Sequence, residues 1–240
     1  MMRVTEIWRF PVKSMGGETL LDATVTDLGI TGDRGWSLYD HATGTTLTAR
    51  RTPELLYASS RLVADDLVIT LPDGSEIGED GSARLSAWLG RDVELRAAGE
   101  HNLDMGGVYE VPLDAENDAE WVSWTGPGRA FHDSVKTRLS LVSTATLGNW
   151  DRRRIRTNVI VDESGEDGFV GRRISIGDVT LDVTKQVDRC VMVSRPQPGI
   201  ERDLQVLKTI NGERATFLAV GCLVAEPGLL ALGDEVRAQG

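Results

Sequence analysis

Apolar residues alternate with polar ones along most of this chain, and that period of two predicts strands. Val4 to Phe10 is rich in strand formers and stops at Pro11. Between Leu20 and Leu28, Leu21, Ala23 and Val25 alternate with Asp22, Thr24 and Thr26, which puts the first three on one face. Gly29 to Asp33 reads as a turn. Gly35 to Tyr39 and Thr45 to Thr48 read as a hairpin around His41-Ala42-Thr43-Gly44. Arg61 to Val63 and Leu67 to Leu71 flank Ala64-Asp65-Asp66, and Pro72-Asp73-Gly74-Ser75 is a further turn. Val93 to Arg96, Leu139 to Ser143, Asn158 to Val161, Ile174 to Ile176, Val179 to Val183, Phe217 to Val224 and Leu229 to Leu232 complete the strands.

Helical spacing is confined to short stretches. Ser82 to Leu89 places Leu85, Trp88 and Leu89 on one side, with Ser82 as the cap. Thr144 to Trp150 follows a capping Ser143, and residues 201 to 208 read as a helical turn. The fold class is therefore mostly β with small helices, a barrel or a sandwich.

A chain of 240 residues with 40% hydrophobic and 26% charged residues can bury a real core. Its net charge of -11 argues against non-specific nucleic-acid binding. The charge is unevenly placed. Residues 97 to 128 hold no Lys or Arg but include Glu100, Asp104, Glu110, Asp114, Glu116, Asp118 and Glu120. Arg129, Lys136, Arg138, Arg152, Arg153, Arg154 and Arg156 follow. We expect a β domain at 1–105, an acidic connector at 106–128 and a second β domain at 129–240. Two cysteines are too few for a disulfide framework and suit a reducing compartment. The start of the chain lacks an apolar leader, and the longest apolar stretches are too short to span a bilayer. A cytoplasmic protein without a membrane partner is expected.

No phosphate-loop, dinucleotide or nucleophile-elbow pattern is present, and His41, His101 and His132 lack zinc-ligand spacing. Three features remain. Cys190 lies at a strand-to-loop edge beside Arg189, where a cation favours the thiolate, a soft metal ligand and a sulfur nucleophile. A small buried apolar residue is the competing reading there, and the preferred one for Cys222. Arg154-Ile155-Arg156-Thr157-Asn158, if extended, presents Arg154, Arg156 and Asn158 on one face, which suits a phosphate or a fused-ring heterocycle. Phe10-Pro11-Val12-Lys13-Ser14 and Gly32-Asp33-Arg34 offer a point charge, a hydroxyl and a guanidinium fork.

In this order, and with Leu141-Val142-Ser143-Thr144-Ala145-Thr146-Leu147 and Asp188-Arg189-Cys190-Val191-Met192, these motifs resemble those of MOSC-domain proteins that carry an N-terminal MOSC β-barrel segment. The arrangement is similar to the mitochondrial amidoxime-reducing component and its bacterial relatives. The resemblance implies a molybdenum cofactor, a pterin dithiolene with a terminal phosphate. It places the metal-ligating and catalytic cysteine on Cys190. It places cofactor contacts on Lys13, Ser14, Arg34, Thr137, Ser143, Arg156 and Asn158. Pyridoxal phosphate is not expected in this chain. The chain departs from many relatives in Ile155 and Thr157 around Arg156, and in Phe169 where they carry Trp.

The resemblance also implies an oxidoreductase that reduces small N-hydroxylated compounds by oxygen-atom removal. Two cysteines cannot hold a plant-type iron–sulfur cluster, so a separate flavin or iron–sulfur protein would supply electrons. The alternatives are a carrier that delivers cofactor or sulfur without its own turnover, and a non-catalytic β-barrel binding module.

Overall fold

The computed structural model describes residues 1–99, 104–107, 122–126 and 128–239. Much of the expected connector at 106–128 lies outside the described residues, as do Glu100, Glu110, Asp114, Glu116, Asp118 and Glu120. Strand Asp104–Gly107, which begins just before it, pairs antiparallel with Val122–Thr125 inside it.

The largest sheet has eight strands. From edge to edge they are Val236–Ala238, Arg173–Ile176, Val179–Asp188, Phe217–Glu226, Leu139–Ser143, Val159–Val161, Val4–Arg9 and Glu18–Leu20. It curls towards a barrel. Arg3 forms an isolated bridge with Glu235, and Val236 N donates to Met2 O at 2.9 Å. The two ends meet at this single bridge, and among the described residues no ladder closes the sheet. Strands from both ends of the sequence share this sheet, and Asp22–Thr26 pairs with Gly228–Ala231.

Alternation explains how the sheet is buried on two sides. Leu139, Leu141, Val159 and Val161 enter the barrel core with Ile7, Leu181 and Cys222. Val142 and Ile160 point the other way, under helix Leu204–Arg214 and the Val191–Ser194 turn. That helix is longer than the turn expected at 201–208. Asp203 caps it by accepting from Gln205 N at 2.8 Å, and Val206, Leu207 and Ile210 are buried.

A second core forms in the N-terminal half, around Val12, Met15, Leu38, Leu55, Ile69 and Leu85. Met192, two residues after Cys190, packs against it. Helix Ser82–Leu89 has the expected bounds, but its N-cap is Gly81. Ser82 is drawn away from capping because its Oγ accepts from Leu95 N at 3.0 Å. Leu21 also departs from expectation. It falls between strands Glu18–Leu20 and Asp22–Thr26, breaks the alternation and is 77% exposed, whereas Ala23 and Val25 are buried.

Candidate functional site: a buried cation cluster beside Cys190

The Val4–Arg9 strand ends at Phe10-Pro11 and hands the chain across to the N-terminal core. Lys13 N donates to Trp36 O at 2.8 Å, fixing the crossing. The Lys13 side chain is buried. Its Nζ donates to Phe131 O at 3.2 Å and pairs with the Asp133 carboxylate. Burial lowers its pKa, opposed by Asp133 and reinforced by Arg34 and Arg156. Ser14 follows with φ +69°, and its Oγ accepts from Ala49 N at 3.0 Å.

Asp33 organises the next turn from a fully buried position. One oxygen accepts from Phe10 N at 2.8 Å; the other accepts from Asn158 Nδ2 at 3.1 Å and pairs with Arg34. Arg34 has φ +54°, and its Nη2 donates to Arg156 O at 3.4 Å. The Arg34 and Arg156 guanidinium carbons lie 5.5 Å and 4.4 Å from the Phe10 ring centroid, so one aromatic ring serves two cations.

The segment expected to run extended through Arg154, Arg156 and Asn158 does not. Asp151 accepts from Arg153 N at 2.9 Å and starts a helical turn over Arg152–Ile155. That turn ends at Arg156, whose φ is +55°. Arg154 therefore leaves the proposed face. It is buried and donates to Val193 O, Arg195 O and Glu201 O at 3.1, 3.2 and 2.6 Å, a structural clamp. Arg156 reaches the N-terminal half and donates to Met15 O. Burial, followed by repulsion from Arg34, pushes its pKa down to about 9.

Asn158 is in the cluster but fully committed within the protein. Its Oδ1 accepts from Ser140 N and Ser140 Oγ at 3.2 and 3.1 Å, and its Nδ2 also donates to Trp8 O at 3.3 Å. It ties the cluster together rather than offering free bonding capacity.

Cys190 arrives by a different route. Strand Val179–Asp188 runs past the expected stop at Val183, with irregularities between Val183 and Lys185 and between Gln186 and Asp188. Such bulges re-aim the residues that follow. Arg189 N donates to Thr216 O at 2.9 Å, and half-buried Cys190 begins the Val191–Ser194 turn. The Arg189 side chain is a three-point clamp. It donates to Leu218 O and Ile155 O, each at 2.8 Å, and to Thr157 Oγ1 at 3.1 Å. Its acceptors at 155 and 157 flank Arg156. Burial lowers the Arg189 pKa to about 10, while Cys190 and Asp188 oppose that fall. The Cys190 sulfur is thus within electrostatic reach of the guanidinium.

Thr137 and Ser143 stand apart from these contacts. Thr137 Oγ1 crowds Gly221, where an added Cβ would lie 2.5 Å away. Ser143 is buried in the N-cap of Thr144–Leu147. It donates to Glu166 at 3.1 Å, and its Oγ accepts from Thr146 N at 3.0 Å. The sequence also left Phe10, Asp133 and His132 without roles. An aromatic residue just before Pro11-Val12-Lys13 was the available signal for Phe10. His132 Nε2 lies 3.0 Å from Leu28 O, and burial, then Arg34, push its pKa down to about 4. Cys222 is buried in the barrel core, with its pKa raised to about 12 by burial.

Lys13, Arg34, Arg156 and Arg189 form a connected set of cations, and Arg34 depresses the pKa of the other three. Desolvated like charges repel strongly. Asp33 is consumed by internal bonds, so the set favours an added anion. Ser14, Arg34 and Arg156 all have left-handed backbones without being glycine. Such conformations persist where the surroundings over-determine them, often at ligand sites.

Two family models match the chain: the MOSC N-terminal beta barrel domain over residues 1–123 and the MOSC domain over residues 128–237. Among solved structures, the YuaD protein from Bacillus subtilis is similar with a TM-score of 0.50 and 12% identity, covering 98% of this chain and 94% of that one. YiiM from Geobacillus stearothermophilus is similar with a TM-score of 0.36 and 11% identity, covering 58% of this chain and 73% of that one. No curated protein matches the chain. Among the described residues, no helix is long and apolar enough to cross a membrane.

Proposed function

Because the chain belongs to the MOSC family, which is associated with the molybdenum cofactor, we propose that it binds a molybdenum–pterin cofactor and reduces small N-hydroxylated compounds. The observation that carries this reading is the cation cluster linked through Arg189 to Cys190. An excess of buried cations suits a pterin phosphate, and a half-exposed thiol suits molybdenum. When bound, the cofactor supplies a two-electron centre able to remove oxygen from nitrogen.

The chain's own residues divide the work. Lys13, Arg34 and Arg156 bind the anionic end, and Phe10 backs two of them with an apolar face. Asp33 and Asn158 hold Arg34 and the Phe10 turn in place. Cys190 provides the thiolate, and Arg189 fixes its distance from Arg156. The net reaction converts R–NHOH, two electrons and two protons into R–NH2 and water. A separate flavin or iron–sulfur protein provides the electrons. Ser143, at the end of strand Leu139–Ser143, and Thr137, just before it, remain proposed cofactor contacts on the resemblance alone.

The test is a screen of hydroxylamines and amidoximes with a low-potential chemical reductant. We expect turnover by the wild type and none by Cys190→Ala of unchanged melting behaviour. Full turnover by that variant removes Cys190 from the role. The half-exposed position of Cys190 also favours the second reading, a cofactor or sulfur carrier. Protein that exchanges cofactor readily and never turns over a substrate supports the carrier.

A further inference from the structure

Lys13 and Asp133 form an unequal pair. The lysine side chain is 5% exposed and the aspartate side chain is 79% exposed. Lys13 has a second partner in Phe131 O, whereas no other hydrogen-bond donor reaches the Asp133 carboxylate among the described residues. Asp133 faces the whole cluster. Burial raises its pKa, but Lys13, Arg34 and His132 together outweigh that and hold it at about 2, and it raises the pKa of Arg156. The other nearby carboxylates are held elsewhere: Asp33 by Phe10 N, Asn158 and Arg34, and Asp188 by Lys185.

We propose that Asp133 is a built-in counter-anion that occupies the cluster's anion position and sets which anions can enter. A ligand phosphate gains Lys13 only by displacing this carboxylate or by donating a proton to it. A small, fully ionised anion offers neither a proton nor further binding energy, so Asp133 excludes it. An anion with additional contacts, such as the pterin phosphate of the proposed function, can offset the displacement. Asp133 is suited to the exchange because most of its side chain is exposed and it loses a single partner on leaving. The inference rests on the cluster being an anion site, which the proposed function requires, but it does not require molybdenum.

The experiment titrates sulfate, which has no proton to donate, by calorimetry at pH 8 into the chain purified from a host that cannot make the molybdenum cofactor, so that the anion position is free. The variants are Asp133→Asn, Asp133→Ser, Asp133→Glu and Asp133→Asn with Lys13→Met. We expect Asn and Ser to bind sulfate at least tenfold more tightly than wild type. Glu should bind as weakly as wild type, and the double variant should lose the gain. Unchanged or weaker binding by Asn and Ser overturns the inference. Loss of cooperative melting in both variants also overturns it, because Asp133 is then a structural partner of Lys13. A tighter Asn variant, together with wild-type chain that carries no molybdenum even from a molybdate-replete host, leaves the counter-anion in place and removes the cofactor reading.

Discussion

Asn158 Nδ2 donates to Asp33 Oδ2 at 3.1 Å, joining residues 125 positions apart and both halves of the site. Both side chains are buried, and every polar atom of the Asn158 amide is bonded. Asn158→Ala leaves Ser140, Trp8 and Asp33 each short of a partner. We expect a loss of about 2–4 kcal/mol in denaturant unfolding. Asn158→Asp sets two buried carboxylates face to face and should lose more. If Asn158→Ala is as stable as wild type, the bond does not hold the halves together.

Arg189 divides its fork among Leu218 O, Ile155 O and Thr157 Oγ1, a geometry that lysine cannot reproduce. Arg189→Lys keeps the charge but leaves acceptors unmatched. The expected cost is about 2–3 kcal/mol, with faster loss of bound molybdenum during dialysis. Wild-type retention of metal by this variant argues against a spacing role for the clamp.

His132 gives the fold a pH dependence of definite sign. Its folded pKa of about 4 lies below the ordinary 6.5, so the unfolded chain binds the proton first as pH falls. The stability it contributes is complete above pH 6.5 and is lost between pH 6.5 and 4. The difference corresponds to about 3 kcal/mol. His132→Gln should flatten the unfolding free energy over that window. An equally steep dependence in the variant assigns it to other groups.

Gly17 supports the cation platform by close approach. A Cβ there would lie 2.2 Å from Arg9 O and 2.6 Å from the Phe10 ring. Gly17→Ala must displace that ring from beneath Arg34 and Arg156. We expect a loss of about 1–3 kcal/mol and weaker sulfate binding by Asp133→Asn when the two changes are combined. Unaltered sulfate binding shows that the ring position does not matter to the anion.

Local pattern was enough where both faces of an element are determined by burial. Leu139–Ser143 and Ser82–Leu89 match their expected bounds because their apolar spacing matches the cores they enter. Pattern was insufficient at Arg152–Ile155. A run of arginines has no hydrophobic period, and the Asp151 cap that bends it into a turn is a single residue. Strand Val179–Asp188 was read short because Thr184, Lys185 and Gln186 are polar, although Lys185 and Gln186 still pair with Gly221 and Val220. Lys13, Ser14, Arg34, Arg156 and Cys190 were accessible through their motifs. Phe10 and Asp133 were not, because their roles exist only once distant loops meet. The resemblance marked Asn158 as a cofactor contact; its bonds to Ser140, Trp8 and Asp33, visible only once distant strands meet, were not legible in the sequence.

Metal analysis of protein purified from a molybdate-replete host asks whether the cluster and Cys190 together hold molybdenum. Close to one molybdenum per wild-type chain and a large loss in Cys190→Ser are expected. Wild-type protein without molybdenum would contradict this.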